Sequence, residues 1–558
     1  MKKLTILLFS ILLLSASTSL YARCTCGSCY SSCCGHSTCC NHDCGSCDCC
    51  GGPSKSCCDC ECRVEGRSTF VPRPQFQVGS PEYLTAFRDR MNAKDDECAK
   101  GGAMQFVLFG GKSTKAGKLA SYFTPGCKTR LVTKGTGGDL DPQHFNVNLA
   151  DENAEFESTI QLCPKIRTIG LGFTYRQNLS KLRDCYDPCK RHVWLEISTP
   201  LTRVETTMGL SECLSFTGER EADVIEGLDQ KFYGNMTAAF NQAAWKYGKI
   251  NGCCECSKTR LADISLLLGW DTFKCDSCLL EGFFGFLIPT GNERCAHYML
   301  EPIVGHAKHW GIMKGFHLRG TLWEDKECER ILEVAHDSNG LYLFSREEKR
   351  SFDLKCKPWS RYMEMYKNKE QAEEADALQG ENPEAAQFLS TPGINIMTQC
   401  VCVKPRLSVT TNTSIIYTTC NFRGELGYNF FCRQSECLKL CCWKEGPALK
   451  ADIGQGITNP LRTINEANRE FEERTGGTAD ISEPLERYDD SLIKASQIDL
   501  ESATHPYFFS NTLYASLGGK WDCRETPLFL DLGGSYEWGC ENVVLNRWTA
   551  WIKGGFSF

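Results

Sequence analysis

The chain reads as all-β, an antiparallel transmembrane β-barrel of about 12–14 strands with helical loop insertions and a Cys-rich N-terminal segment. Three observations lead there. The C-terminal stretch alternates apolar and polar residues and stops on an aromatic, the N-terminus has the form of an export signal, and the remainder lacks any apolar run long enough to cross a bilayer as a helix.

The last strand sets the pattern. Trp548, Ala550, Ile552, Gly554, Phe556 and Phe558 occupy every second position, with Thr549, Lys553 and Ser557 between them. A strand with one apolar and one polar face belongs at a boundary between two media. The run before it places Leu528, Leu530, Leu532, Tyr536 and Trp538 against Asp531, Ser535 and Glu537, and the one before that places Leu513, Ala515, Leu517 and Trp521 against Thr512, Tyr514, Ser516 and Lys520. Each has about the length, roughly 9–11 residues, that a tilted strand needs to cross the bilayer core. Trp and Phe near the run ends fit interfacial girdles.

The middle of the chain repeats the alternation. It recurs over Ile166 to Gln177, Val193 to Ile197, Ala262 to Trp270, Leu280 to Ile288, Trp310 to Leu322, Leu407 to Tyr417 and Phe422 to Phe430, with weaker runs over Met104 to Gly111 and Leu341 to Cys356. A soluble β-sandwich also alternates, but these runs exceed the roughly 5–6 residues usual for soluble strands. Three segments differ in character. Asp223 to Gly248 has helical spacing, Lys367 to Leu389 is acidic and alanine-rich, and Asn459 to Thr475 opens on Asn-Pro, a helix start. These divide the chain into a signal peptide (1–22), a Cys-rich segment (23–75) and a barrel (76–558) with loop insertions near 210–258, 360–400 and 440–505.

Met1-Lys2-Lys3, the apolar run Leu4 to Leu14 and the small-residue stretch Ser15 to Ala22 form a secretory signal peptide, too short in its apolar core to span. Arg23 separates the expected cleavage site from Cys24, which argues against a lipid anchor there. The formal charge is −7 and the basic residues form no long run, so nucleic acid is not an expected partner.

Cysteine usage is the second strong signal. Of 38 cysteines, 15 lie between Cys24 and Cys62. In an exported protein disulfides are the default reading. Adjacent or near-adjacent pairs such as Cys33-Cys34 and Cys57-Cys58 do not readily bridge each other and are better placed to reach two partners. Cys24, Cys26, Cys29, Cys33, Cys34, Cys57, Cys58, Cys60 and Cys62 are therefore candidates for cross-linking. A thiolate metal cluster aided by His36 and His42 is the rival, though the spacing is too irregular for one tetrahedral site; a disordered tail is the third reading.

Catalytic patterns do not survive inspection. Gly110-Gly111-Lys112-Ser113 resembles part of a phosphate loop, but Phe106 stands where such a loop needs glycine. His306 and His309 lie an odd interval apart and face opposite sides of a strand. If Leu532, Trp538 and Ile552 face lipid, then Lys520, Asp531, Glu537 and Lys553 face a lumen, and His309, His317 and Arg319 share that face. Mixed charges along a lumen suit passage of small hydrophilic solutes. No enzyme activity and no cofactor is expected.

The signal peptide, the alternation and the terminal aromatic strand resemble Gram-negative outer-membrane β-barrels of porin type, and the cysteine load resembles the cysteine-rich major outer-membrane proteins of chlamydia-type bacteria. The first resemblance implies Sec export, outer-membrane lipid around the barrel, and a terminal signal at Trp548, Ile552, Phe556 and Phe558 read by the barrel assembly machinery. The second implies disulfides to other copies or to other Cys-rich envelope proteins. The expected function is a disulfide-cross-linked porin; the alternative is a structural or adhesive envelope protein with a closed barrel.

Overall fold

The computed structural model describes residues 65–86, 101–134, 138–147, 156–182, 192–216, 233–252, 255–275, 277–355, 357–381, 389–449, 492–522, 526–539 and 541–558. The signal peptide, the block from Cys24 to Cys62 and the helix expected over Asn459 to Thr475 lie outside the described residues.

Twelve strands form a closed antiparallel barrel. In chain order they are β1 (Gly102–Ser113), β2 (Lys165–Asn178), β3 (Val193–Thr207), β4 (Ile264–Cys275), β5 (Cys278–Ile288), β6 (Gly311–Asp325), β7 (Arg330–Leu343), β8 (Arg406–Thr419), β9 (Phe422–Arg433), β10 (Phe508–Asp522), β11 (Pro527–Trp538) and β12 (Arg547–Ser557). Each pairs with the next, and β1 closes on β12 in unbroken register from Ala103 opposite Ser557 to Ser113 opposite Arg547. Closure leaves the barrel without a free edge, the requirement for strands that contact lipid. Every strand has 11 to 15 residues.

One expectation needs correction. The weak run read over Leu341 to Cys356 is not a barrel strand: β7 lies earlier, and Arg346–Ser351 pairs with Thr398–Lys404 in a small sheet outside the barrel. The alternation is hidden in β7 because two of its outward positions, His336 and Ser338, are polar. His336 is buried beside Phe316 and hydrogen-bonds Thr413.

Connections are strongly asymmetric. Residues 114–164, 208–263, 289–310, 344–405, 434–507 and 539–546 join strands at one rim, while 179–192, 276–277, 326–329, 420–421 and 523–526 join them at the other. The long loops build a cap from small sheets such as Arg130–Lys134 with Glu157–Gln161 and Ser211–Phe216. Its core holds Phe145, Phe240, Trp245, Trp359 and Tyr362, with Trp245 stacked on Tyr362 at 4.9 Å between ring centroids. Burying a large side chain contributes about 1.5–3 kcal/mol, which gives these loops a core of their own. The acidic stretch does form a helix, Lys369–Glu381, whereas the described part of the 223–248 run carries only the turn Met236–Ala239, capped by the Asn235 side chain.

The outer wall is an apolar belt. Leu426 is 64% and Leu517 60% exposed, and Leu108, Leu171, Ile415, Leu513, Leu532 and Ile552 are also exposed. Exposed aromatics flank the aliphatic band, with Phe273, Trp323, Phe422 and Trp521 toward the short turns and Trp310, Tyr342, Phe509, Tyr536 and Trp548 toward the long loops. A band of that extent has no place in water on a monomer; two aromatic girdles around it are the arrangement of outer-membrane-type barrels.

Inside, large rings lie over small residues. Trp194, Phe283, Tyr514 and Trp551 each cover the glycine directly opposite on the neighbouring strand, namely Gly269, Gly315, Gly427 and Gly533. A Cβ on Gly269 would stand 2.0 Å from the Trp194 ring. Ring and glycine together fill the interior at a density that two side chains could not share.

The described chain begins at the cap and then enters the lumen. Arg67 and Ser68 bind main-chain groups of Thr504 and Ser502, and Arg361 donates to the Gly66 carbonyl at 2.8 Å. From Val71 to Ala86 the segment runs inside the barrel toward the short-turn rim. Phe76 stacks on Phe109 with centroids 5.9 Å apart, and Gly172 leaves the space that the Phe76 ring fills, since a Cβ there would lie 2.4 Å from it. The inner segment therefore belongs to the same compact unit as the barrel. Gly172→Leu is expected to expel the Phe76 ring and expose 71–86 to limited proteolysis while the strands of the barrel stay protected; unchanged resistance of 71–86 would contradict the packing described.

Candidate functional site

The lumen is the concave, polar part of the molecule, and its wall is built by strand parity. Inward positions carry Gln105, Thr174, Arg176, Glu281, Asp337, Asn339, Asn412, Glu425, Asn429 and Asp531, all buried. The charged ones among them have partners of opposite sign nearby. Arg176 bonds Glu281 at 2.5 Å and lies over the Trp194 ring at 3.5 Å; Arg423 bonds Glu425 at 2.9 Å. Buried charges need such partners because desolvation otherwise outweighs their attraction.

The residues expected to face the lumen largely do so, but they do not line an open path. Lys553 is fully buried and donates to the carbonyls of Tyr83 and Thr85 and to the Thr85 hydroxyl, so it grips the inner segment. Asp531 accepts from the Trp551 indole at 3.4 Å, and Glu537 is held by Arg547 at 2.7 Å and Ser510 at 2.6 Å. His317 pairs with Asp337 at 2.5 Å under the Phe283 ring, and Arg319 is clamped by both oxygens of Glu333. Lys520 lies toward the short-turn rim, half-buried and opposite Phe529. His309 departs from expectation: it stands before β6 in the loop, between the Phe344 carbonyl and Glu348. Of the terminal residues, Trp548 and Ile552 face outward, Phe556 is half-buried, and the Phe558 main chain exchanges hydrogen bonds with Gly102 while its ring covers that glycine.

What closes the lumen is the inner segment, which strand parity does not disclose. Asn339 donates to the Val78 carbonyl at 3.0 Å, Asn429 to the Gly79 carbonyl at 3.1 Å, and Gln105 to the Tyr83 carbonyl at 3.3 Å. Arg73 reaches Asn429 at 2.7 Å, and Gln75 reaches Thr549 at 2.7 Å. Side chains of the wall thus take the place of a sheet ladder for this stretch of backbone. The wetted channel inferred from the mixed charges is, in this conformation, an occupied one.

At the mouth, inner segment and cap meet in a charge cluster that the sequence reading missed apart from His309. Arg350 bonds Glu348 at 2.9 Å and Glu436 at 3.1 Å, Arg433 bonds Glu436 at 2.9 Å, and His309 bonds Glu348 at 2.6 Å. Burial alone would raise the Glu348 carboxyl, but Arg350, His309 and Arg294 hold it far below its ordinary range; Glu436 is lowered against its burial by Arg350 and Arg433. His505, packed between Phe70, Tyr122 and Phe508, is pushed down to about 3 by burial and then by Arg433. The sequence spacing Glu348-x-Arg350 is local, but Arg433 ends β9 and Glu436 and His505 come from the loop that follows it.

The described cysteines occupy the rims. Cys275 and Cys278 face each other across the β4–β5 turn, Cys328 and Cys420 sit in the next two short turns, and Cys213, Cys295, Cys400, Cys437, Cys441 and Cys442 are exposed on the long-loop side.

No protein-family model matches the chain, and no curated protein matches it in sequence. Among solved structures, an outer membrane channel from Pseudomonas putida F1 is similar at 8% identity and a TM-score of 0.32, covering 82% of this chain and 96% of that one. The transport unit of the autotransporter AIDA-I from Escherichia coli is similar at 8% identity and a TM-score of 0.29, over 87% and 100% of the two chains. A Pseudomonas aeruginosa FadL homologue gives 9% identity and a TM-score of 0.22, over 82% and 88%. At scores this low they add nothing to the fold already defined by strand pairing.

The mouth cluster predicts a pH dependence. His505 has a folded pKa below its unfolded value of 6.5, so the unfolded chain takes up the proton first and stability falls as pH drops below 6.5. At pH 5 that amounts to about 2 kcal/mol. The lowered carboxyls of Glu348 and Glu436 add a further loss below 4.5, as pH falls toward their folded values. Thermal melting between pH 7 and 5 checks the first part: His505→Phe is expected to flatten the slope in that window and leave the loss below it.

Proposed function

We propose that this chain is an outer-membrane β-barrel closed by its own residues 71–86, serving as a structural envelope protein joined to its neighbours through cysteines. The observation that carries this reading is the occupied lumen: wall side chains from β1, β7, β9 and β12 bond the main chain of the inner segment. The apolar belt with its aromatic girdles supports placement in a Gram-negative outer membrane, which implies Sec export and handling by the barrel assembly machinery, with Trp548 to Phe558 as the terminal strand it would read. Exposed cysteines on both rims and outside the belt suit disulfides to other copies or other Cys-rich envelope proteins. Cys24 to Cys62 would add further cross-links.

A gated porin for small hydrophilic solutes is the second reading. One observation favours it: the inner segment is bound by side chains and is not a strand of the sheet, so it can leave without opening the wall. Planar-bilayer recording of the full chain, oxidised and reduced, separates the two. The closed reading expects silence from both samples, and current steps once 71–86 are deleted. Steps from the intact chain would replace it with the porin. Lys553→Ala removes the buried amine that holds Tyr83 and Thr85 and is expected to produce intermittent openings. On non-reducing gels of envelopes the chain should run as polymers that collapse on reduction; monomer under both conditions would remove the cross-linking role.

A further inference from the structure

Between the start of the inner segment and the cap lies a cavity of about 70 Å³. On a scale of about 10–15 Å³ for each water it has room for roughly five heavy atoms. Its lining includes Arg73, Arg294, Arg350, Arg433 and Arg547, and the carboxylates Glu348 and Glu436. Glu537 stands behind Arg547 and neutralises it at 2.7 Å.

The charges do not balance. Arg350 is shared between Glu348 and Glu436, and Arg433 takes the other oxygen of Glu436. Among the lining groups that leaves Arg73 and Arg294 without a hydrogen-bonded carboxylate; Glu537 and Glu301 act on them only through space. Arg73 has a neutral partner, Asn429, and the face of Phe431 at 4.7 Å. Arg294 is buried with its Nε 3.4 Å from Glu348 but without a hydrogen bond there. Burial, and then repulsion from Arg350, pushes the Arg294 guanidinium below its ordinary range. A buried guanidinium whose N–H groups are not all met by acceptors is costly, and it does not shed its proton. A bound anion removes that cost.

We infer that this cavity binds a small oxyanion, a phosphate- or carboxylate-bearing solute, with Arg73 and Arg294 as its principal donors and Arg433 beside them. Guanidiniums present planar pairs of N–H groups that suit such oxygens. The site rests on the closed-lumen reading, because Arg73 belongs to the inner segment.

The test is calorimetric titration of the full, detergent-extracted chain with inorganic phosphate, and separately with acetate, at constant ionic strength in chloride. Saturable binding of one ion per chain is expected. Arg294→Gln should weaken it about tenfold, the loss of one charge-assisted bond, and Arg73→Gln likewise, while Lys308→Gln at the exposed rim leaves it unchanged. Arg294→Gln keeps Arg350 and His309 on Glu348, so it should fold; its melting temperature should need about tenfold more phosphate for the same rise. Absence of saturable heat with either anion, or wild-type binding by Arg294→Gln, overturns the site. Bilayer recording on the same preparation reports the lumen separately: a silent barrel that binds no anion refutes the site alone, whereas an open one refutes the closed reading.

Discussion

Closing twelve strands into a barrel creates an inner surface that sheet hydrogen bonds do not serve, and the rest of this structure answers that constraint. The wall places amides, guanidiniums and carboxylates where solvent is scarce, and each must find a partner or lose several kcal/mol. Here the partner is the chain itself. Val71 to Ala86 offers its backbone carbonyls to Gln105, Asn339, Asn429 and Lys553, and its Phe76 ring to the apolar side of the lumen.

The same constraint shapes the packing around it. Rings over glycines leave room for the inner segment, including its helical turn Pro81–Leu84, so that the lumen is a core in the sense of density and polar in composition. Where the segment enters, its arginine meets the cap, and the guanidiniums that line the cavity outnumber the carboxylates that line it. The mouth is thus the place at which the chain does not complete its own electrostatics, and the place where a solute has something to add.

The outer surface obeys a simpler rule. Leu and Ile form the central band, aromatics mark its two limits, and cysteines occur at the rims and in the loops, where a partner can reach them. Long loops on one side have enough apolar residues, Trp245, Trp359 and Tyr362 among them, to fold on themselves. The short turns on the other side do not, and present thiols in three successive hairpins instead.

The barrel was legible in the sequence because the signal is local: a wall between an apolar and a polar medium forces alternation within each strand, and Leu528 to Trp538 or Trp548 to Phe558 show it without reference to anything else. β7 escaped where His336 and Ser338 break the pattern on the outer face, since no local signal reports that Phe316 and Thr413 will cover and bond that histidine. Lys553 could be assigned inward, but its role could not, because its partners Tyr83 and Thr85 lie more than four hundred residues away along the chain. Likewise Arg433, Glu436 and Glu348 look like ordinary surface charges until the end of β9 and two loops bring them together. What the sequence alone determined is the wall, its faces and its cysteine load, each a matter of periodicity or composition. What only the tertiary structure decided is that the lumen is filled and that arginines from distant segments gather at its mouth, because both depend on contacts between residues with no periodic relation to each other.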